Sequence, residues 1–183
     1  MAPLYRYRRN TGKTVFMTDL LYHNRHIWSY GIVFTKTKHN GYWQKYFPNH
    51  CIHSDFNEAL LRRWMKIQQQ RVTMQGVNSR VLVLLDDMAA SQALRYANII
   101  SELAYNGRHL QMDVVYATQD VIKATTAMRR NADLFCMLTT MNMVTLKHVY
   151  DEFGSVEWRS FVDFVACMLK HTEVRSLCFL FEW

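Results

Sequence analysis

The chain has only 6 Gly and 2 Pro among its 183 residues, which excludes collagen-like and low-complexity sequence. It lacks a C-x-x-C pair: Cys51, Cys136, Cys167 and Cys178 are scattered in or beside apolar runs such as LFCML and SLCFLF. That placement predicts buried thiols in a reducing compartment and argues against a disulfide framework. The first residues, MAPLYRYRRNTGKT, have no signal-peptide core. No apolar run is long enough to span a bilayer, because 161–181 is interrupted by Asp163, Lys170, His171, Glu173 and Arg175. These absences predict an intracellular chain, in cytoplasm or nucleus, with no membrane contact.

What is present is a core-forming composition with a positive balance. Half the residues are hydrophobic and 14% aromatic, while 22 Lys plus Arg against 15 Asp plus Glu give a net charge of +7. The length suits one domain with a sizeable core, 1–183, and the charge favours a polyanionic partner. Short apolar runs alternate with longer helical stripes, the signature of an α/β domain with a largely parallel sheet. The expected strands are 27–34, 81–85, 114–117, 134–138 and 176–181. Each is a continuous apolar run, as expected when helices cover both faces. The expected helices are 15–23; one after Asp55, with Asp55 and Glu58 as a capping pair and Phe56, Leu60, Trp64 and Ile67 as its stripe; 88–106, stopped by Gly107; 143–153; and 158–169. Residues 35–53 read as an extended loop rich in aromatic side chains.

Three groups of residues suggest phosphate chemistry. Thr11-Gly12-Lys13-Thr14 precedes a helical stretch and supplies the end of a phosphate-binding loop, in which backbone N–H groups, a lysine and a metal-binding hydroxyl act together. The run VLVLL ends in Asp86-Asp87, where one carboxylate can sit in a Mg²⁺ shell and its neighbour can polarise water; an N-cap for the next helix is the competing reading. The run VVYA leads into Thr118-Gln119, a polar pair positioned to sense a γ-phosphate. In parallel sheets such sites lie at the carboxyl ends of strands, so three polar strand ends have a reason to converge. Weaker features are His50, Cys51 and His53, too few ligands for structural zinc, and the aromatic and basic stretch from Trp28 to Tyr46, which suits either base stacking or a core-facing strand and loop.

Gly107-Arg108-His109, DVVYATQ and MRRNADLF at 128–135 resemble the poxvirus-type DNA-packaging ATPases of nucleocytoplasmic large DNA viruses and related elements. That family lies in the FtsK–HerA branch of the P-loop NTPases. The order GKT, apolar-DD, GRH, TQ, RRNAD covers about residues 12–138. The resemblance implies a RecA/ASCE-like fold, with an additional strand at GIVFT and a following loop through Trp43 and Phe47-Pro48-Asn49-His50, inserted before the Asp-Asp strand. It implies ATP and Mg²⁺ as cofactors. Thr11, Gly12, Lys13 and Thr14 would hold nucleotide, Thr14 and Asp86 the metal, with Asp87 as catalytic base and Gln119 as sensor. It further implies a homo-oligomeric ring in which Arg108, Arg129 or Arg130 completes the neighbouring site; a solvated or sheet-edge arginine is the alternative for each. The ring would drive double-stranded DNA into capsids at the site of virion assembly, with capsid proteins as further partners.

The sequence departs from that pattern at its start. YRRNTGKT replaces the glycine-rich loop, the preceding strand is reduced to 4–7, and Ala124-Thr125-Thr126 stands where prolines are expected before RRNAD. Bulky residues restrict the close backbone approach that a phosphate chain needs. These departures predict a truncated or decaying copy, and they leave open a non-hydrolysing P-loop remnant that binds DNA or a partner subunit. A generic kinase or helicase on the same scaffold lacks any additional substrate motif.

Overall fold

The computed structural model describes residues 3–6, 13–75, 79–88, 91–118, 124–138, 143–153, 157–171 and 176–180. Its strands are β1 (Pro3–Arg6), β2 (Trp28–Thr35), β3 (Ile52–His53), β4 (Arg80–Asp86), β5 (Met112–Thr118), β6 (Leu134–Leu138) and β7 (Ser176–Leu180). Its helices are α1 (Lys13–His23), α2 (Glu58–Gln75), α3 (Gln92–Tyr96), α4 (Asn98–Asn106), α5 (Thr126–Arg130), α6 (Met143–Phe153) and α7 (Trp158–His171). The strands form one sheet in the order β3-β2-β4-β5-β1-β6-β7, parallel throughout except for the antiparallel β6–β7 pair.

Period-two alternation splits the continuous apolar runs between two cores. In β4, Val81, Val83 and Leu85 face one cluster, with Leu61 and Met65 of α2, Ile99 and Leu103 of α4, and Phe161 and Val165 of α7. Leu82 and Leu84 face the other, with Met17 and Leu21 of α1, Trp43 and Ile52. Among the described residues no helix is long and apolar enough to cross a membrane.

The elements differ from the sequence expectation in instructive places. Helix 88–106 is broken into α3 and α4 by an extended Ala97 (ψ 115). Alanine is the best helix former, so propensity does not make this break. Leu94 and Ile99 are both buried, yet five residues on an unbroken helix lie about 140° apart, and the break lets both enter one core. Gly107 ends α4 in the right-handed region (φ −55) and so is not a left-handed cap. Its requirement is space: a Cβ there would lie 2.6 Å from the Leu103 carbonyl oxygen and 2.8 Å from that of Met112.

The cap of α2 is Asn57, whose Oδ1 accepts from the Leu60 N–H at 2.9 Å, while Asp55 pairs with Lys36 and Glu58 with Arg62. The buried stripe of α2 runs through Leu61 and Met65, and Ile67 is 47% exposed. Residues 35–53 are not a plain loop, because three 3-10 turns (Lys38–Asn40, Trp43–Lys45, Asn49–Cys51) lead into β3. Of the thiols, Cys136 is buried, Cys51 is half-buried and Cys167 is exposed, so burial does not hold for all of them.

Candidate functional site

Register aligns polar groups along the carboxyl ends of the strands. Thr35 of β2 faces Asp86 of β4, Asp86 faces Ala117 of β5, and Thr118 of β5 faces Arg6 of β1. β1 lies between β5 and β6, while the chain leaving it through α1 returns in β2 on the far side of β4 and β5. The strand order therefore reverses at β1, the place where open α/β sheets bind ligands.

α1 begins at Lys13, and the Lys13 Nζ lies 3.5 Å from the Asp87 Oδ1, with the lysine side chain 11% exposed and the aspartate 35%. Asp87 reaches this position through a left-handed backbone (φ 55), a conformation that aspartate tolerates better than most residues. Its N–H donates to the Ala117 carbonyl at 3.2 Å, extending the β4–β5 ladder by one bond before the chain turns away. Thr14, the second residue of α1, is half-buried.

Asp86 is 3% exposed and held from one side. The Trp43 indole N–H donates to its Oδ2 at 2.8 Å and the Thr35 hydroxyl lies 3.5 Å from the same oxygen. Its Oδ1 is buried and has no hydrogen-bond partner among the described residues. Burial pushes this carboxyl above the ordinary 3.8; the Trp43 bond and the Lys13 charge oppose that rise, and the Asp87 charge adds to it. An unmatched buried carboxylate oxygen is costly unless a cation meets it. The donor set, an orphaned carboxylate oxygen beside a threonine at a helix start and a lysine, therefore fits Mg²⁺ carried by a nucleotide phosphate.

The arginines fall into two groups. Arg108 pairs with Asp133, tying the GRH turn to the RRNAD segment. Arg129 pairs with Glu152 of α6 at 3.1 Å and donates to the Ala124 carbonyl at 2.5 Å, and its side chain is only 15% exposed. Arg130 is exposed and has no ion-pair partner among the described residues. Thr11, Gly12 and Gln119 lie outside the described residues. No group of His, Cys, Asp and Glu among the described residues is arranged to hold a metal by itself, His50, Cys51 and His53 included.

Sequence reasoning missed the two groups that hold Asp86. Thr35 carried the signal already used for Thr118, a polar residue ending an apolar run. Trp43 was placed by the resemblance in the loop after GIVFT, but nothing in the sequence pointed it at Asp86, and its 1% exposure comes from the fold.

This sheet, with a lysine at the start of the first helix opposite paired acids, is the P-loop NTPase fold, which it shares with solved ATPases. The chain belongs to the poxvirus A32 protein family, which matches residues 8–176. The resemblance read from GRH, TQ and RRNAD is thereby borne out. The uncharacterized protein L437 of Acanthamoeba polyphaga mimivirus is 27% identical over 177 residues, covering 91% of this chain and 61% of that protein. The chain spans between 46% and 61% of the length of the curated viral relatives it matches. Among solved structures, B204, the DNA-packaging ATPase from Sulfolobus Turreted Icosahedral Virus, superposes with a TM-score of 0.68 at 15% identity, over 98% of this chain and 91% of that one. The genome packaging NTPase B204 from Sulfolobus turreted icosahedral virus 2 in complex with ATP-gammaS gives 0.66 at 14% identity, over 98% and 91%. At these identities the superpositions establish the shared fold.

Proposed function

We propose that this chain is the motor subunit of a viral genome-packaging machine, one P-loop domain that binds ATP with Mg²⁺, hydrolyses it and drives double-stranded DNA into a capsid. The observation that carries this reading is the junction of Lys13, Asp87 and the orphaned Oδ1 of Asp86 at the carboxyl ends of β4 and β5. Family membership and a fold shared with a DNA-packaging ATPase support it.

In this assignment Lys13 neutralises the terminal phosphates, helped by the N–H groups at the start of α1 and by Thr11 and Gly12. Thr14 and Asp86 hold the metal, which supplies charge neutralisation on the transferred phosphoryl group. Asp87, freed from Lys13 when phosphate takes its place, accepts the proton of the attacking water, and Gln119 orients that water. Arg130 is assigned to the neighbouring subunit's site in a homo-oligomeric ring, because Arg108 and Arg129 are already committed to Asp133 and Glu152. The ring works at the site of virion assembly in host cytoplasm or nucleus, beside capsid proteins.

The test is Mg²⁺-dependent ATP hydrolysis with and without double-stranded DNA, using the wild-type chain, Lys13→Ala and Asp87→Asn. The expected result is DNA-stimulated turnover that falls about 100-fold or more in each variant, the scale of losing one charge-stabilising or proton-accepting group. Unchanged turnover in Lys13→Ala refutes the assignment. Absent turnover in the wild type with DNA binding retained replaces it with the non-hydrolysing remnant.

A further inference from the structure

A cavity of about 560 Å³ runs along the outer edge of the sheet, and none of Lys13, Thr14, Asp86 or Asp87 lines it. β3 pairs only with Val33 and Phe34, so among the described residues the earlier part of β2, from Trp28 to Ile32, has a strand neighbour on the β4 side alone. Ser29 is skipped even there: Trp28 faces Arg80, Tyr30 faces Val81, and the register shifts between them. The cavity straddles this edge, with Tyr22 of α1 as a wall from one layer, Trp64 of α2 from the other, and Tyr46 and Phe47 closing one end. Gly31 makes that end possible, because a Cβ at this position would lie 2.6 Å from the Phe47 ring.

The chemistry of the walls is specific. Tyr22, Tyr30 and Tyr46 are 56%, 52% and 51% exposed, so three large aromatic surfaces meet water in one groove. The Arg25 guanidinium lies 4.2 Å over the Tyr22 ring and that of Arg71 4.7 Å over the Tyr30 ring. Neither arginine has a carboxylate partner among the described residues, and no Asp or Glu lines the cavity. An open strand edge offers a row of backbone donors and acceptors that an extended chain can match. Nucleobases would stack on the tyrosines but leave that row unmatched.

We propose that this groove takes an extended acidic segment of a partner polypeptide. The segment adds as a strand beside residues 28–32 with its two faces alternating: apolar side chains go to Tyr22 and Tyr46 on the α1 side, and carboxylates go to Arg71, which lies over Tyr30 on the α2 side, while Arg25 adds positive charge at the rim.

The probe is a fluorescein-labelled peptide of three Phe-Glu repeats, read by fluorescence anisotropy on the purified chain. Two controls replace Glu by Lys or methylate alternate backbone nitrogens. The expected result is saturable binding that weakens at least about tenfold with either control, the scale of losing one charged pair or the strand hydrogen bonds. Ser29→Pro and the double change Arg25→Glu, Arg71→Glu are each expected to weaken binding as much; proline is tolerated at sheet edges, and Ser29 is not a rung toward β4. Should Ser29→Pro fail to fold, as judged by its circular dichroism melt, the N-methylated peptide and the arginine variant decide. Equal binding of the N-methylated or Phe-Lys peptide, or no binding of the Phe-Glu peptide, overturns the proposal. Displacement by oligothymidylate combined with indifference to N-methylation assigns the groove to nucleic acid instead and also overturns it.

Discussion

Replacing Trp43 by Phe removes from the proposed nucleotide site the N–H that bonds Asp86 and, because Trp43 is only 1% exposed, also leaves a small cavity in the core. The ring that remains is still apolar, but the 2.8 Å bond to the Asp86 Oδ2 is gone, leaving only the Thr35 hydroxyl at 3.5 Å. A hydrogen bond to a charged group contributes about 1.5–3 kcal/mol, so the ionised form of Asp86 loses that much support, equivalent to a factor of about 10 to 100. Asp86 already lies above its ordinary 3.8, chiefly because it is buried, and losing the Trp43 bond pushes it higher. The sign follows from competition between a proton and Mg²⁺ for one carboxylate. The Mg²⁺ concentration for half-maximal ATP hydrolysis is expected to rise over the wild type as pH falls through the titration of Asp86 in the variant, reaching about 10- to 100-fold below the titration of the wild type. Above the titration of the variant both chains are ionised and their Mg²⁺ requirements converge. Without metal, a raised carboxyl favours the fold at acid pH, and this contribution is lost as pH rises through the folded-state value; Mg²⁺ restores it. The assay is a Mg²⁺ titration of turnover across pH, with melting followed in parallel. A lower melting temperature with an unchanged Mg²⁺ requirement at every pH would show that Trp43 only fills space, and would refute the role given to its N–H.

Arg80→Met leaves Asp113, whose side chain is 4% exposed, without the guanidinium that bonds both its oxygens at 2.6 and 2.9 Å, and is expected to cost about 3 kcal/mol in urea denaturation at neutral pH. Burial pushes Asp113 up, but its hydrogen bonds and ion pairs, the Arg80 bond foremost and the Trp28 bond among them, outweigh it and hold the group below 3.8; the stabilisation is therefore lost as pH falls through the folded-state value, and the variant and wild type should converge in acid. Gly107→Ala is expected to lower the unfolding free energy by about 1–3 kcal/mol, read as a lower urea midpoint with an unchanged slope, because both atoms it would crowd are backbone; a loss under about 0.5 kcal/mol would show that the turn yields. Arg130→Ala, at an exposed position, should leave melting within about 0.5 kcal/mol of wild type while lowering turnover of the assembled ring about 10³-fold. A full-rate Arg130→Ala ring would return the trans role to Arg108 or Arg129.

The fold was legible where burial leaves a one-dimensional trace. VLVLL and VVYA read as strands because both their faces are covered, so no polar alternation interrupts them. α6 was recovered with both its ends, since its apolar spacing and its flanks agree. Boundaries failed where tertiary packing overrode local preference. Ala97 breaks a helix that propensity would continue, and Asn57 takes the cap because Lys36 draws Asp55 away. β3 is two residues long, and nothing in Ile52-His53 distinguishes it until β2 lies beside it.

The site was legible for a different reason. Lys13 and Asp87 are separated by most of two βα units, and no spacing rule joins them. Each was nonetheless recognisable as a polar group at the junction of a strand and a helix, and a parallel sheet collects those junctions at one end. What such reasoning cannot reach is the support behind the junction. The GRH and RRNAD segments offer candidate arginines, and the structure pairs Arg108, itself 61% exposed, with Asp133 and the shielded Arg129 with Glu152. A guanidinium with a carboxylate beside it in its own chain must give up that pair before it can serve a neighbour, a loss of about 0.2–1 kcal/mol for an exposed pair and more for a shielded one such as Arg129. Arg130, one residue further along α5, has no such pair to give up among the described residues, and that difference is the reason the trans role is proposed for it.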